Sequence, residues 1–164
     1  INPFKYILEE KDIPAFESFV PWCRNGIYLK NRPAFTFDPL LHAGSYYVQE
    51  ASSMFLDHVI RQVLDKPVTA LDLCAAPGGK TTCAMSALPS GSILFSNEPV
   101  RNRAQILSEN VQKFGHPDII VTNNDAKNYQ KSGIQFDLIL TDVPCSGEGM
   151  FLTLIHIPEP TRLY

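Results

Sequence analysis

The stretch from 69 to 82, TALDLCAAPGGKTT, constrains the fold of this chain more than any other part of the sequence. An apolar run ends at Asp72, a loop of small residues follows, and a segment typical of a helix start comes next. This order predicts a strand, a loop and a helix, in which glycines and free helix N–H groups come close to a ligand. Such a loop can also be a simple tight turn, so both interpretations stay open for this stretch alone.

The end of the loop resembles a phosphate-binding P-loop at Gly79-Lys80-Thr81. That pattern requires an earlier glycine, G-x-x-x-x-G-K-[ST], and Cys74 stands at the required position. Pro77 also removes one N–H that a phosphate cradle would use. ATP binding is therefore the alternative interpretation and not the leading one.

Short apolar runs alternate with helical patterns along the rest of the chain. Apolar runs predict strands at 68–73, 92–96, 119–122 and 136–140, and helical spacing predicts helices at about 50–64, 80–88 and 100–114. We expect Met54 and Phe55 in the core from the first helix, and Ile106, Leu107 and Val111 from the last. This alternation predicts an α/β fold with a parallel, Rossmann-like sheet covered by helices on both faces.

Composition limits the classes of protein that fit. The 164 residues are 45% hydrophobic and 19% charged, which suits one globular domain and a small appendage. No apolar run reaches the roughly 18 residues that span a membrane, and no signal peptide is recognisable, so we expect a cytoplasmic protein. Its four cysteines are scattered without a C-x-x-C pair and support neither a zinc site nor a disulfide framework.

The net charge of −3 gives no broad basic surface for nucleic acid. Arg24, Lys30 and Arg32 form a loose basic cluster near the start of the chain. The cluster is either ordinary solvated charge or a local RNA contact.

An acidic residue follows each of the four predicted strands: Asp72, Glu98, Asp125 and Asp142. The carboxyl ends of parallel strands meet at one edge of a sheet, where ligands bind, although an Asp there can also simply cap a helix or turn. Glu98 lies about 20 residues beyond the glycine loop, where an acid accepts hydrogen bonds from ribose hydroxyls. This favours an adenosine-containing cofactor, and S-adenosylmethionine, which has no phosphate, is compatible with Cys74 and Pro77.

The loop at 142–149, DVPCSGEG, directly follows the last predicted strand. Pro144 stiffens its backbone, and two glycines let the loop fold over a ligand. Cys145, close to a strand-end Asp, suggests thiol chemistry, whereas an isolated cysteine is more often an inert buried thiol.

The segments 72–81 and 142–149 resemble two signature motifs of the Sun family, S-adenosylmethionine-dependent RNA cytosine-5 methyltransferases. The segment 46–54, YYVQEASSM, resembles the one that precedes the cofactor domain in this family. The segment 21–23 and Gly26 resemble the bacterial ribosomal-RNA branch in particular.

The resemblance implies a class I methyltransferase sheet and a set of site residues, with no metal among its requirements. Glu98 is expected to hold the ribose, Asp125 the adenine edge, and Asp142 to lie beside the methyl donor and the target base. Arg103 is expected to help close the pocket. The loop residues expected to line the methionine and adenosine pocket are Cys74, Ala75, Ala76, Pro77, Gly78, Gly79 and Lys80. The residues expected to take part in the chemistry are Cys145, Asp142 and Lys80.

The implied reaction is covalent: a thiolate attacks carbon 6 of a cytosine, and carbon 5 then takes the methyl group. The base must leave its stack, so single-stranded or flipped RNA is the expected substrate, and the resemblance favours ribosomal RNA. In the family a second cysteine, in a later motif, is the usual nucleophile, and the residue matching Cys145 assists product release. The sequence ends at Tyr164 before that motif, so we expect a fragment without the C-terminal strands that binds cofactor but is inactive.

These expectations divide the chain into three parts. Residues 1–45 are expected to form an appendage that contacts RNA, 46–151 a partial cofactor-binding core, and 152–164 a tail atypical of or foreign to the family. The last strand would then be an open apolar edge, which favours self-association. Besides ATP binding, a non-enzymatic RNA-binding module stays open as an alternative function.

Overall fold

The computed structural model describes residues 1–5, 13, 15–32 and 34–143. Within them the chain forms six strands and five α-helices. The strands are β1 (Phe16–Phe19), β2 (Ile27–Leu29), β3 (Thr69–Asp72), β4 (Ile93–Asn97), β5 (Ile119–Thr122) and β6 (Leu138–Leu140). The α-helices are α1 (Pro39–His42), α2 (Phe55–Val63), α3 (Gly79–Ala87), α4 (Arg101–Phe114) and α5 (Ala126–Ser132). No helix among the described residues is long and apolar enough to cross a membrane.

Four strands form a parallel sheet in the order β5-β4-β3-β6. Leu71 in β3 lies opposite Phe95 in β4 on one side and Ile139 in β6 on the other. The connection therefore runs outward from β3 in one direction through β4 and β5, and then returns to its other side. Ligands of open parallel sheets bind where the strand order reverses in this way, at the carboxyl ends of the strands.

The two helices nearest this reversal pack by different means. Helix α3 consists mainly of small residues and is buried almost throughout, so its backbone lies close to its neighbours. Helix α4 is amphipathic and buries Leu107, Val111 and Phe114 in the main core, with Ala104 also buried. It ends at Gly115, whose φ of +78° is easily adopted only by glycine.

Strands β1 and β2, which precede the parallel sheet, form a separate antiparallel pair. Val20 and Cys23, in the connection between them, pack in a second hydrophobic cluster with Met54 and Cys83. Asn2 is buried and donates from Nδ2 to the carbonyl oxygens of Gly44 (2.9 Å) and Phe114 (2.8 Å). Lys5 donates to the carbonyl oxygens of Ala43 and Lys113. The start of the chain thus supplies hydrogen-bond donors to the carboxyl end of α4, where a helix has free carbonyl groups.

Three details of the predicted helices were wrong. The predicted helix at 50–64 begins only at Phe55, and Phe55 itself is half exposed, although Met54 is buried as expected. The buried residues of α2 are instead Ile60 and Asp57. Burial of the Asp57 carboxylate is possible because Arg61 pairs with it at 2.9 Å and also donates to the Ser86 carbonyl in α3. Ile106 in α4 is also exposed, unlike its neighbour Leu107.

Candidate functional site

The four acids follow or end the four strands of the parallel sheet at its carboxyl edge, which we call the crevice, and each has a different environment. Asp72 and Glu98 are buried, and Asp125 and Asp142 are exposed. The predicted edge is therefore present, with two carboxylates inside it and two at its rim.

The loop between β3 and α3 is held in place by its neighbours through backbone groups. Ala75 donates its N–H to the carbonyl oxygen of Asn97 at 2.7 Å. Arg103 donates to the carbonyl of Ala76 at 2.9 Å, and Asn110 to the carbonyl of Pro77 at 2.8 Å. Two side chains of α4 therefore fix the loop that the sequence predicts as the cofactor loop.

The two loop glycines are required by geometry. Gly78 precedes α3 with a φ of +113°, a conformation that L side chains rarely adopt. A Cβ on Gly79 would lie 2.8 Å from Cε1 of Tyr47 and 3.1 Å from Oε1 of Gln49. The segment around Tyr47 therefore covers the start of α3, and a larger residue at position 79 would require the side chain of Tyr47 to shift.

Glu98 is a buried carboxylate of which only one oxygen accepts a hydrogen bond from the described residues. It is 1% exposed, and its Oε1 accepts a hydrogen bond from the N–H of Val100 at 3.0 Å. Among the described residues its Oε2 has no hydrogen-bond donor, although it forms an ion pair with a guanidinium nitrogen of Arg103 3.6 Å away. A buried carboxylate oxygen without a donor is costly, and the hydroxyls of a ribose would satisfy it. The crevice therefore fits an adenosine-containing cofactor.

Asp72 is the second buried carboxylate. It is 2% exposed, and its Oδ2 accepts a hydrogen bond from the Thr81 hydroxyl at 2.8 Å. Burial raises the pKa of Asp72 to about 6, against the opposing effects of the Thr81 hydrogen bond and the Lys80 charge. The nearby carboxylates of Asp142 and Glu98 raise that pKa further. The floor of the crevice thus concentrates negative charge and favours a cationic ligand.

Lys80 and Asp142 form an ion pair across the mouth of the crevice, between the start of α3 and the end of β6. Both side chains are substantially exposed, so the pair is accessible from solvent. Cys74 is half-buried, and burial, followed by the charges of Glu98 and Asp72, raises the pKa of its thiol. This thiol is therefore held in its neutral form, which suits a pocket wall better than a nucleophile. Cys145 lies outside the described residues.

Asp125 caps a helix that the sequence analysis did not predict. Its Oδ1 accepts a hydrogen bond from the N–H of Lys127 at 2.8 Å, at the start of α5. The capping alternative for this residue is thus observed, and its predicted contact with an adenine edge stays a prediction.

Sequence reasoning missed Asn97, the last residue of β4. It is 1% exposed and hydrogen bonds to groups that follow β3 and β5. The available signal was a polar residue directly before Glu98 at the end of an otherwise apolar strand.

Comparison with protein families identifies two matching family models. The model described as 16S rRNA methyltransferase RsmB/F matches residues 62–154. The model described as the N-terminal domain of 16S rRNA methyltransferase RsmF matches residues 1–51. The resemblance to the Sun family of ribosomal-RNA methyltransferases is thereby confirmed.

Curated relatives named ribosomal RNA small subunit methyltransferase F agree with this result. The protein of Pectobacterium atrosepticum is 36% identical over 138 residues, which are 80% of this chain and 28% of the relative. The protein of Aliivibrio salmonicida is 36% identical over 154 residues, which are 91% of this chain and 32% of the relative. The chain thus spans about a third or less of the length of these relatives.

Solved structures confirm the fold. A methyltransferase homologue from Pyrococcus horikoshii superimposes with a TM-score of 0.69 at 28% identity, covering 85% of this chain and 45% of that one. NSun6 from Pyrococcus horikoshii, solved with SFG, gives a TM-score of 0.61 at 25% identity and covers 73% and 32% of the two chains.

These matches confirm both the Rossmann-like methyltransferase fold and the predicted cofactor, S-adenosylmethionine, of which SFG is an analogue. The glycine cradle fits that cofactor, as does the Glu98 oxygen, which has an ion-pair partner but no hydrogen-bond donor among the described residues. The family model covers more than half of the 164 residues, and the chain belongs to the 16S rRNA methyltransferase RsmB/F family.

Proposed function

We propose that the protein methylates carbon 5 of a cytosine in small-subunit ribosomal RNA, with S-adenosylmethionine as the methyl donor. The observation that carries the proposal is the buried Oε2 of Glu98, which receives no hydrogen bond from the part of the chain that the structure describes and lies at the sheet edge beside the glycine loop. The names of the family and its relatives support ribosomal RNA as the substrate. Cytosine and its carbon 5 are supported by the resemblance of the segment 142–149 to the Sun family motif.

The buried residues are assigned to cofactor binding. Glu98 would accept hydrogen bonds from the ribose hydroxyls, and the backbone from Cys74 to Lys80 would border the methionine and adenosine moieties. Arg103 would hold Glu98 and the loop together, since it lies against both. Asp125, at the rim, would contact the adenine edge with the carboxylate oxygen that does not cap α5.

The residues at the mouth are assigned to the target base. When bound, S-adenosylmethionine supplies an electrophilic methyl group to a nucleophilic carbon. The Lys80 ammonium would hold the Asp142 carboxylate beside the flipped cytosine, since the two already pair across the mouth.

The thiol chemistry is assigned by the family resemblance. A cysteine thiolate would bond to carbon 6 of the cytosine, so that carbon 5 becomes nucleophilic and accepts the methyl group. Loss of the proton from carbon 5 would then expel the thiolate. Cys145 is assigned to that release step and a cysteine of a later motif to the attack, so we expect these 164 residues alone to bind the cofactor without methylating RNA. The cytoplasm, where ribosomes are assembled, is the expected location.

Calorimetric titration with S-adenosylmethionine, and in parallel with ATP and magnesium, tests the cofactor assignment. We expect saturable binding of S-adenosylmethionine that Glu98→Ala weakens by at least about tenfold, the equivalent of about 1.4 kcal/mol. Glu109→Ala, which removes an exposed carboxylate of α4, serves as the matched control and is expected to bind normally. Binding of ATP and magnesium alone would instead favour the P-loop alternative.

The substrate assignment requires a separate assay in the full-length protein. Transfer of a labelled methyl group to small-subunit ribosomal RNA, followed by nucleoside analysis, should yield 5-methylcytosine. RNA binding that is independent of cofactor and yields no methylated nucleoside would favour the non-enzymatic RNA-binding module. Methylation of a different base or position would overturn the cytosine assignment and leave the cofactor site intact.

A further inference from the structure

Asn97 joins three parts of the crevice through one buried side chain. Its Nδ2 donates to the carbonyl oxygens of Leu73 at 3.0 Å and Asn124 at 2.9 Å. Its Oδ1 accepts hydrogen bonds from the N–H of Asn124 at 3.0 Å and from the hydroxyls of Thr122 and Tyr129 at 3.0 and 3.2 Å. The side chain therefore connects the carboxyl ends of β3, β4 and β5, and it also contacts α5.

The orientation of this carboxamide is fixed by its partners. The two carbonyl oxygens can only accept, so they require the amino group of Asn97 beside them. The N–H of Asn124 can only donate, so it requires the oxygen. An aspartate at this position would lose both donated hydrogen bonds and set a carboxylate against two carbonyl oxygens, and a leucine would lose all five hydrogen bonds at similar volume.

The hydrogen bonds of Asn97 to Leu73 and Asn124 lead to residues adjacent to those assigned above to cofactor binding. Leu73 directly precedes Cys74, and the main-chain oxygen of Asn97 accepts from Ala75 in the same loop. Glu98 is the next residue in the chain, and the N–H of Asp125 donates to Oδ1 of Asn124 at 3.1 Å. The position of Asn97 thus determines the relative positions of the loop after β3, the Glu98 carboxylate and the Asp125 carboxylate.

We propose that Asn97 is a positioning residue of the cofactor site, which holds Glu98 and the 73–75 loop at the spacing that the adenosine moiety requires. The inference rests on the proposed role of Glu98. It does not require contact between Asn97 and the cofactor, since this side chain is buried beneath the crevice and hydrogen bonded throughout.

A double-mutant cycle on cofactor affinity tests this role. Dissociation constants for S-adenosylmethionine are measured by calorimetry on the full chain carrying Asn97→Leu, Glu98→Gln or both, with folding checked by circular dichroism. We expect Asn97→Leu to raise the Kd at least about tenfold. In the Glu98→Gln background the same change is expected to raise it by less than about threefold, because the carboxylate that Asn97 positions is already removed.

Two control variants separate positioning from general destabilisation. Ser96→Ala removes a neighbouring hydroxyl that is equally buried but has no hydrogen-bond partner among the residues that the structure describes, so its Kd should stay within about twofold of wild type. Ile60→Ala opens a cavity in α2 away from the crevice, and should lower the unfolding temperature without changing the Kd.

The possible outcomes distinguish this inference from the function on which it rests. If the wild-type chain shows no saturable binding of S-adenosylmethionine, the cofactor assignment fails and the role of Asn97 fails with it. If the wild type binds and Asn97→Leu leaves the Kd unchanged, only the inference fails. Equal effects of Asn97→Leu in both backgrounds would also overturn it, because they would show a role independent of Glu98.

Discussion

Replacement of Asp72 by asparagine is expected to stabilise the protein above neutral pH and to weaken its binding of cofactor. The Asp72 carboxylate is almost completely buried, and burial raises its pKa to about 6. An asparagine oxygen can still accept the hydrogen bond from the Thr81 hydroxyl. The substitution therefore removes the buried charge while it preserves the hydrogen bond and the shape of the side chain.

The magnitude follows from the difference between the pKa of Asp72 in the folded and unfolded chain. An increase from the ordinary value of 3.8 to about 6 corresponds to about 3 kcal/mol, at about 1.36 kcal/mol for each pH unit. Because the folded state holds the proton more tightly, the contribution of Asp72 to stability falls as the pH rises from about 3.8 to about 6. The advantage of Asp72→Asn should therefore grow across that interval and stay constant above about pH 7.

Urea unfolding of both proteins at a series of pH values measures this difference. Asp65→Asn, which neutralises an exposed carboxylate between α2 and β3, is the control, and no comparable gain is expected from it. A stability difference between Asp72→Asn and wild type that does not change with pH would refute the reasoning. Lower stability of Asp72→Asn than of wild type at about pH 8 would refute it as well.

The same substitution should raise the Kd for S-adenosylmethionine. Glu98, Asp72 and Asp142 together give the crevice a negative field, and the sulfonium and ammonium groups of the cofactor are positive. Stability gained at the expense of ligand affinity is the usual result when a strained functional group is removed.

Two further substitutions test the packing. Gly44→Ala should destabilise the protein far more than Gly133→Ala in thermal unfolding. Both glycines have a φ of +72°, but only a Cβ on Gly44 would collide with the carbonyl oxygen of Lys113, at 1.8 Å. Similar losses of stability in the two variants would contradict this close approach. Self-association along β6 should be weakened by Ile139→Lys, in the exposed middle of this strand, so the average mass in light scattering should fall. Ile134→Lys, outside the strand, should leave the mass unchanged. An unchanged mass for Ile139→Lys would exclude β6 as the site of association.

The order of the strands and helices could be predicted from the sequence because their apolar patterns are local. The strand Ile119–Thr122 has the predicted bounds, and the other three of the parallel sheet differ by at most two residues at either end. The buried face of α2 was not predictable in the same way. It contains the Asp57–Arg61 ion pair, and the partner that makes its burial possible, the carbonyl of Ser86, comes from another helix. Helix α5 was missed because it is short and buries none of its residues.

The position of the acids at one edge of the sheet could also be predicted, but not the environment of each carboxylate. The acids at the strand ends look alike in the sequence, whereas the structure gives each one a different partner. Among the described residues, Thr81 donates to Asp72, Lys80 pairs with Asp142, Asp125 caps α5, and one oxygen of Glu98 has no hydrogen-bond donor. Most of these differences arise from neighbours that are distant in sequence. Pattern analysis therefore cannot tell a carboxylate that is hydrogen bonded or ion-paired within the protein from one whose oxygen lacks a hydrogen-bond donor.

The contacts of Asn2 and Lys5 with the end of α4 also bear on how the chain folds. Asn2 and Phe114 are separated by 112 positions, and Lys5 and Lys113 by 108. During synthesis, Asn2 and Lys5 can therefore form these hydrogen bonds only after α4 has left the ribosome. Contacts of such separation slow folding, because a long loop must close before they form. We therefore expect the last turn of α4 to become protected from hydrogen exchange late, after the parallel sheet has formed.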